Sequence, residues 1–153
     1  MKNIPIAFFI VFTLLLVLSG CSSQAQTNNS ESTITLSQDI EKVEIIHFHG
    51  TSQCYSCITL GDYAEETVNT YFSEEVKQGK ISFAHINGEL PENREKVIKY
   101  GATGSSLFIG TYFSDGTFKS EQNINVWYKL GNKNEFMKYL KEIITKRLSG
   151  ETK

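Results

Sequence analysis

Hydrophobic positions change their spacing several times along the chain, and each change marks an element. Residues 4–18 are almost wholly apolar, interrupted only by Pro5 and Thr13. Residues 22–37 are rich in Ser, Thr, Asn and Gln and carry few large apolar side chains. Such a segment cannot bury enough surface to offset its ordering entropy, so it reads as a tether. Residues 42–49, Lys-Val-Glu-Ile-Ile-His-Phe-His, put Val43, Ile45, His47 and His49 on one face and Ile46 and Phe48 on the other. A strand apolar on both faces is one covered by helices on both sides. Gly50-Thr51-Ser52 ends it.

In residues 58–76, Leu60, Ala64, Val68, Tyr71 and Phe72 recur at three- and four-residue steps, the period of a helix with one buried face. Residues 81–87 alternate as a second strand, followed by the turn pair Asn87-Gly88. Pro91 suits the first turn of a helix that runs to Tyr100, turns Val97 and Ile98 inward and closes at Gly101. Residues 106–113 form a third strand and 117–122 a fourth, joined by the hairpin turn Ser114-Asp115-Gly116-Thr117. A loop around Trp127 and Gly131 leads to Asn132, a helix cap, and to a last helix that buries Phe136, Leu140, Ile143, Ile144 and Leu148. Tyr63, Tyr71 and Phe72 read as further core, and His85 as a structural residue on a central strand. The predicted order is strand, helix, strand, helix, strand, strand, helix. The fold class is α/β, a three-layer sandwich with a central mixed sheet of about four strands flanked by helices.

Composition adds mainly exclusions. A chain of 153 residues with formal net charge -2 fits one domain and an appendage. It shows no basic stripe, so no nucleic-acid partner is expected. The N-terminal segment is an address. Lys2 precedes the apolar run, which is shorter than the roughly 20 residues of a spanning helix, and Leu18-Ser19-Gly20-Cys21 follows. That tetrapeptide resembles a lipobox. The resemblance implies that residues 1–20 are a lipoprotein signal peptide and that Cys21 becomes the lipidated N-terminus, with palmitate-class acyl chains holding the protein to the extracytoplasmic face of the membrane. Residues 21–40 are then the tether and 41–149 the folded domain.

The chain has three cysteines. With Cys21 assigned to lipid, Cys54 and Cys57 remain, three residues apart. A bridge closing so short a loop stabilises little, so the pair is poorly explained as a staple. It lies between the first strand and the first long helix. Free backbone N–H groups and the macrodipole favour a thiolate there. Cys54 falls at the exposed tip and is the natural attacking sulfur; Cys57, one turn deeper, resolves the mixed disulfide.

Strand, CxxC and helix in this order, with Tyr100-Gly101-Ala102-Thr103-Gly104-Ser105-Ser106 before the third strand, resemble the thioredoxin superfamily over about residues 41–148. Phe48-His49-Gly50-Thr51, the cysteine pair, Ile86-Asn87, Glu92-Asn93 and Asn125-Val126-Trp127 give a closer resemblance to small extracytoplasmic proteins of a nitrophenyl-compound (organoarsenical) nitroreductase subunit family. The superfamily resemblance implies disulfide exchange through Cys54 and Cys57, with Tyr55, Ser56, Ser105, Ser106 and His49 as neighbours. The closer one implies electron transfer to a nitro-reducing partner. No flavin or nicotinamide site is evident, so the redox group is the Cys54–Cys57 disulfide itself and no cofactor is expected.

Two departures stand out. Ser106 occupies the place where thioredoxins carry a cis-proline, and its hydroxyl is available for hydrogen bonding or a metal ion. His47 falls where thioredoxins hold a buried Asp, and a histidine is suited to the same proton transfer. His47 and His49 are either relay or ligand groups, or strand histidines with satisfied ring nitrogens. Two functions from different classes follow. One is a thiol–disulfide oxidoreductase or dithiol electron relay, with a protein thiol or disulfide, a membrane electron donor or a reductase subunit as partner. The other is a soft-metal or trivalent-arsenic binding module made of Cys54, Cys57 and His49.

Overall fold

A computed structural model describes residues 39–151. The signal peptide, Cys21 and nearly all of the expected tether lie outside the described residues. Four strands form one sheet in the order β2-β1-β3-β4: β1 Ile40–His49, β2 Ile81–Asn87, β3 Ser106–Phe113 and β4 Phe118–Gln122. β1 and β2 are parallel, with His47 opposite His85. β3 runs antiparallel to β1 with Phe48 opposite Ser106, and β4 is antiparallel to β3. The first strand takes in Ile40, which pairs with Phe113.

The helices are α1 Tyr55–Tyr71, α2 Ser73–Lys77, α3 Arg94–Tyr100 and α4 Lys133–Leu148. On one side of the sheet, Val43, Ile45, Leu107 and Ile109 are buried with Leu60, Ala64 and Val68 of α1 and Phe136, Leu140 and Ile144 of α4. On the other side Ile46, Phe48 and Phe108 meet Tyr100 of α3. β1 is therefore apolar on both faces for the reason its composition suggested: it has a layer above and a layer below. Among the described residues no helix is long and apolar enough to cross a membrane.

Several local expectations need correction. The long helix begins at Tyr55, not Ile58, because Cys54 takes the capping position. It does not continue through Val76 but stops at Phe72, whose backbone leaves the helical region before α2 begins. Tyr71 is 42% exposed rather than core, and its ring lies under the Lys141 ammonium at 4.6 Å. Ile98 points to solvent, and Tyr100 takes the buried position. The stretch after Pro91 opens with a 3-10 turn, Pro91–Asn93, before α3. The segment around Trp127 is a 3-10 helix, Ile124–Lys129, not a loop. Other expectations hold. Gly101 ends α3 at φ 67°, a left-handed conformation that costs glycine no steric strain. Asn132 caps α4 by accepting from the Glu135 N–H at 3.2 Å.

The second face holds an ion cluster. Glu44 of β1 accepts from Lys96 Nζ and Tyr100 OH, each at 2.7 Å, from Tyr112 OH at 2.9 Å and from Lys42 Nζ at 3.1 Å. Burial raises its pKa, but the four donors outweigh burial and bring it down to about 2. Burial and the neighbouring carboxylate push the Tyr100 hydroxyl well above its ordinary range.

Candidate redox site

β1 ends at His49 and the chain crosses to α1 through residues 50–54. Pairing with the loop after β2 holds this crossing in position. The Gly88 N–H donates to His49 O at 2.8 Å, the Thr51 N–H to a Glu89 carboxylate oxygen at 2.9 Å, and Asn87 Nδ2 to the Thr51 hydroxyl at 3.0 Å. The Thr51 backbone N–H keeps the Glu89 carboxyl below its usual value.

Cys54 then caps α1. Its backbone is extended, its sulfur accepts from the Cys57 N–H at 3.1 Å, and its carbonyl starts the helix by accepting from Ile58 N–H at 3.0 Å. Cys54 and Cys57 are bonded to each other as a disulfide, with Cα atoms 5.1 Å apart. Cys54 is exposed and Cys57 half-buried, as expected for a helix tip and the turn below it. No acidic residue stands in the first turn of α1, so nothing there opposes the dipole that favours a sulfur anion at Cys54. Tyr55 is 85% exposed beside it and Ser56 is exposed as well.

His47 lies beneath the first turns of α1. It is 1% exposed, and its Nδ1 is 3.0 Å from Nδ1 of His85. Its Nε2 is buried without a hydrogen-bond partner. Burial, then the charges of His85 and His49, lower its pKa to about 4, so the ring is neutral at neutral pH. Gly61 is the reason the rings fit: a Cβ there would stand 2.7 Å from His47 Cε1 and 2.8 Å from His85 Cε1. His49 uses Nδ1 to donate to Gly50 O at 2.9 Å, and its ring centre is 5.4 Å from that of His47.

His85 needs correction. It sits on the edge strand β2, not on a central strand, and is exposed. Its Nε2 lies 3.3 Å from a Glu65 carboxylate oxygen. Neither its pairing with His47 nor the part played by Gly61 and Glu65 was read from the sequence. The i, i+4, i+8 spacing of Cys57, Gly61 and Glu65 was the available signal.

The Ser106 hydroxyl is buried and donates to Gly104 O at 2.8 Å. Ser105 Oγ is buried without a hydrogen-bond partner. Among the described residues no peptide bond is cis, and no three or more His, Cys, Asp or Glu side chains are grouped so as to hold a metal ion. Trp127 packs on the edge of the α1–α4 core.

No family model and no curated protein matches the chain. Among solved structures, the solution structure of a thioredoxin from Thermus thermophilus is similar over 69% of this chain and 76% of that one, at 15% identity and a TM-score of 0.45. A likeness at that level carries no argument by itself. The strand order β2-β1-β3-β4, with β3 alone reversing against β1 and a disulfide at the start of the first helix, is what identifies the described domain as having a thioredoxin-like fold.

Proposed function

We propose that this chain is a thiol–disulfide oxidoreductase or dithiol electron relay, tethered through Cys21 to the extracytoplasmic face of a membrane. The observation that carries the redox reading is a disulfide whose outer sulfur caps an exposed helix N-terminus. In the reduced pair, Cys54 ionises at the dipole's positive end and attacks a partner's disulfide; its own sulfur becomes half of a mixed disulfide and a partner thiolate leaves. Cys57 then attacks Cys54 Sγ, re-forms the intramolecular bond and frees the second partner thiolate. His47 takes the Cys57 proton. Two electrons pass to the partner, and a thiol donor, such as a membrane-embedded dithiol carrier, restores the reduced form.

Replacing Cys57 by Ser tests this. The variant is expected to accumulate a stable mixed disulfide on Cys54 when the reduced chain is mixed with a disulfide-bonded protein, seen as a reductant-sensitive band of higher mass. No such adduct, together with no exchange by the unaltered chain, would overturn the reading.

The tether reading rests on residues 1–21. Cys21→Ala is expected to release the chain from the membrane fraction, because the thiol is the acyl attachment point and one chain contributes about 0.8 kcal/mol per buried CH2. Unchanged membrane retention of the variant would count against lipidation. The residues shared with the nitrophenyl-compound reductase subunits suggest that the electron acceptor is a nitro-reducing partner, to which this small domain hands electrons without reducing a nitro group itself.

A further inference from the structure

Three residues close a ring of hydrogen bonds beside the redox loop. The Thr51 N–H donates to Glu89 Oε2 at 2.9 Å, the Glu89 N–H to Asn87 Oδ1 at 3.0 Å, and Asn87 Nδ2 to the Thr51 hydroxyl at 3.0 Å. A backbone N–H can be met only by the amide oxygen, so the ring also fixes which way the Asn87 amide points. Asn93 Nδ2 donates to the Asn87 carbonyl oxygen at 2.8 Å and steadies it from the far side. Thr51 belongs to the crossing that carries Cys54, whereas Asn87 ends β2 and Glu89 lies in the turn after it.

Ser52 and Gln53, between Thr51 and the helix cap, are exposed and have no hydrogen-bond partner among the described residues. Thr51 is therefore the last tie between the crossing and the sheet before Cys54. None of the ring's bonds involves a sulfur, so reducing the disulfide removes none of them.

We propose that Asn87 and Glu89 are positioning residues for Cys54: by tying down Thr51 they hold the attacking sulfur at the start of α1, where it ionises. This rests on the oxidoreductase reading above. A reduced Cys54 is favoured as a thiolate only while it stays beside the free N–H groups and the dipole's positive end, and both effects fade within one turn. With Thr51 released, the crossing samples more conformations and the sulfur spends less time there. Attack slows, and a higher pH is needed to ionise the thiol. Glu89 meets Thr51 as a carboxylate at neutral pH, because that N–H keeps its pKa below the usual value.

Gly50 gives a second handle on the same ring. A Cβ there would stand 2.8 Å from Glu89 Oε1. The carboxylate is the far end of an exposed side chain, so it is the group that gives way. Gly50→Ala therefore moves the carboxylate off Thr51 while leaving its charge in place.

The test mixes the full reduced chain with an aromatic disulfide that releases coloured thionitrobenzoate. The first release reports attack by Cys54, and its rate is followed against pH. Glu89→Ala is expected to slow that release by about tenfold near pH 7, the order that a small misplacement of a reacting group costs, and to move the midpoint of its pH profile upward. Glu89→Gln keeps an oxygen for the Thr51 N–H and is expected to stay within about threefold of the unaltered chain. Asn87→Ala removes two of the ring's bonds and is expected to be at least as slow as Glu89→Ala. Gly50→Ala is expected to reproduce both the slow release and the raised midpoint. Combined with Glu89→Ala it is expected to be no slower than either change alone, because both break the same bond.

A first release in Glu89→Ala within about twofold of the unaltered chain, or a slow one at an unchanged midpoint, would overturn the proposal. So would effects that multiply in the double variant, since the two changes would then act through separate contacts. Equal slowing by Glu89→Gln and Glu89→Ala would overturn it as well, because the charge and not the bond to Thr51 would then matter. If the unaltered chain releases no thionitrobenzoate at all, the oxidoreductase reading itself falls, a result distinct from a fast Glu89→Ala variant.

Discussion

Cys54→Ser is expected to abolish thiol–disulfide exchange, lowering the rate by at least about a thousandfold while leaving the fold intact. The attacking atom must be an anion and must be reached from outside. Of the two cysteine sulfurs in the described domain, the exposed one is Cys54, at the helix cap. Serine preserves the cap, since its hydroxyl also accepts from the N–H three residues on. It cannot supply a nucleophile, because its hydroxyl does not ionise in this pH range. Residual exchange through the half-buried Cys57 sets the floor. The bridge closes only two intervening residues, so its loss lowers stability by about 2 kcal/mol at most by chain entropy. Exchange assays with an aromatic disulfide, paired with urea unfolding, separate the two effects. A Cys54→Ser chain that still exchanges at a rate near the original would move the chemistry to another residue.

Glu44→Gln is expected to lower stability by about 2–4 kcal/mol at neutral pH, the range for removing one partner from a largely buried charged network. The carboxylate is the shared acceptor for two ammonium groups and two phenols drawn from α3, β1 and β3. An amide has one oxygen to offer them and no charge. The pH dependence supplies the sign. The folded pKa of Glu44, about 2, lies below its unfolded value of 4.5. The unfolded chain therefore binds more protons between those values. The stabilisation is fully present above about pH 4.5 and disappears as pH falls through 2. The stability difference between Glu44→Gln and the original chain, measured by urea unfolding, is expected to shrink over that interval. A difference that stayed constant down to pH 2 would show that the carboxylate's charge is not what holds the network.

His47 adds a second acid-sensitive step at higher pH. Its folded pKa of about 4 lies below the ordinary 6.5. Stability is therefore greatest above pH 6.5 and falls as pH drops toward 4, because unfolding lets the ring take up a proton that the core resists. The two groups sit on opposite faces of β1, within four residues of each other. One strand thus carries both the acid-labile packing near the sulfurs and the ion cluster under α3.

What could be read from the sequence was local. The third strand, the second strand and the Gly101 and Asn132 caps all depend on residues within a few positions of one another. Alternation, left-handed glycine and side-chain capping are short-range effects, and they survive whatever the rest of the chain does. The cysteine pair was legible for the same reason: a strand, a break, CxxC and a helical period fix a sulfur at a helix start. The errors fell where burial was decided by a distant partner. Ile98 and Tyr100 are equally apolar by period, but Gly110 on β3 leaves room for the Tyr100 ring, while nothing covers Ile98. Tyr71 has the spacing of a core residue, yet the helix ends one residue later and leaves it at the rim.

By itself, then, the sequence determined the strand and helix order, the exposed position of Cys54 and the two-sided burial of β1, because each follows from spacing along one segment. The tertiary structure alone decided that His47 meets His85 across 38 positions, that Gly61 clears the space for both rings, and that Glu44 gathers donors from as far as Tyr112. Those pairings depend on strand order and register. One residue of slip would turn every side chain of a strand to the opposite face, so no pattern within a single segment specifies them.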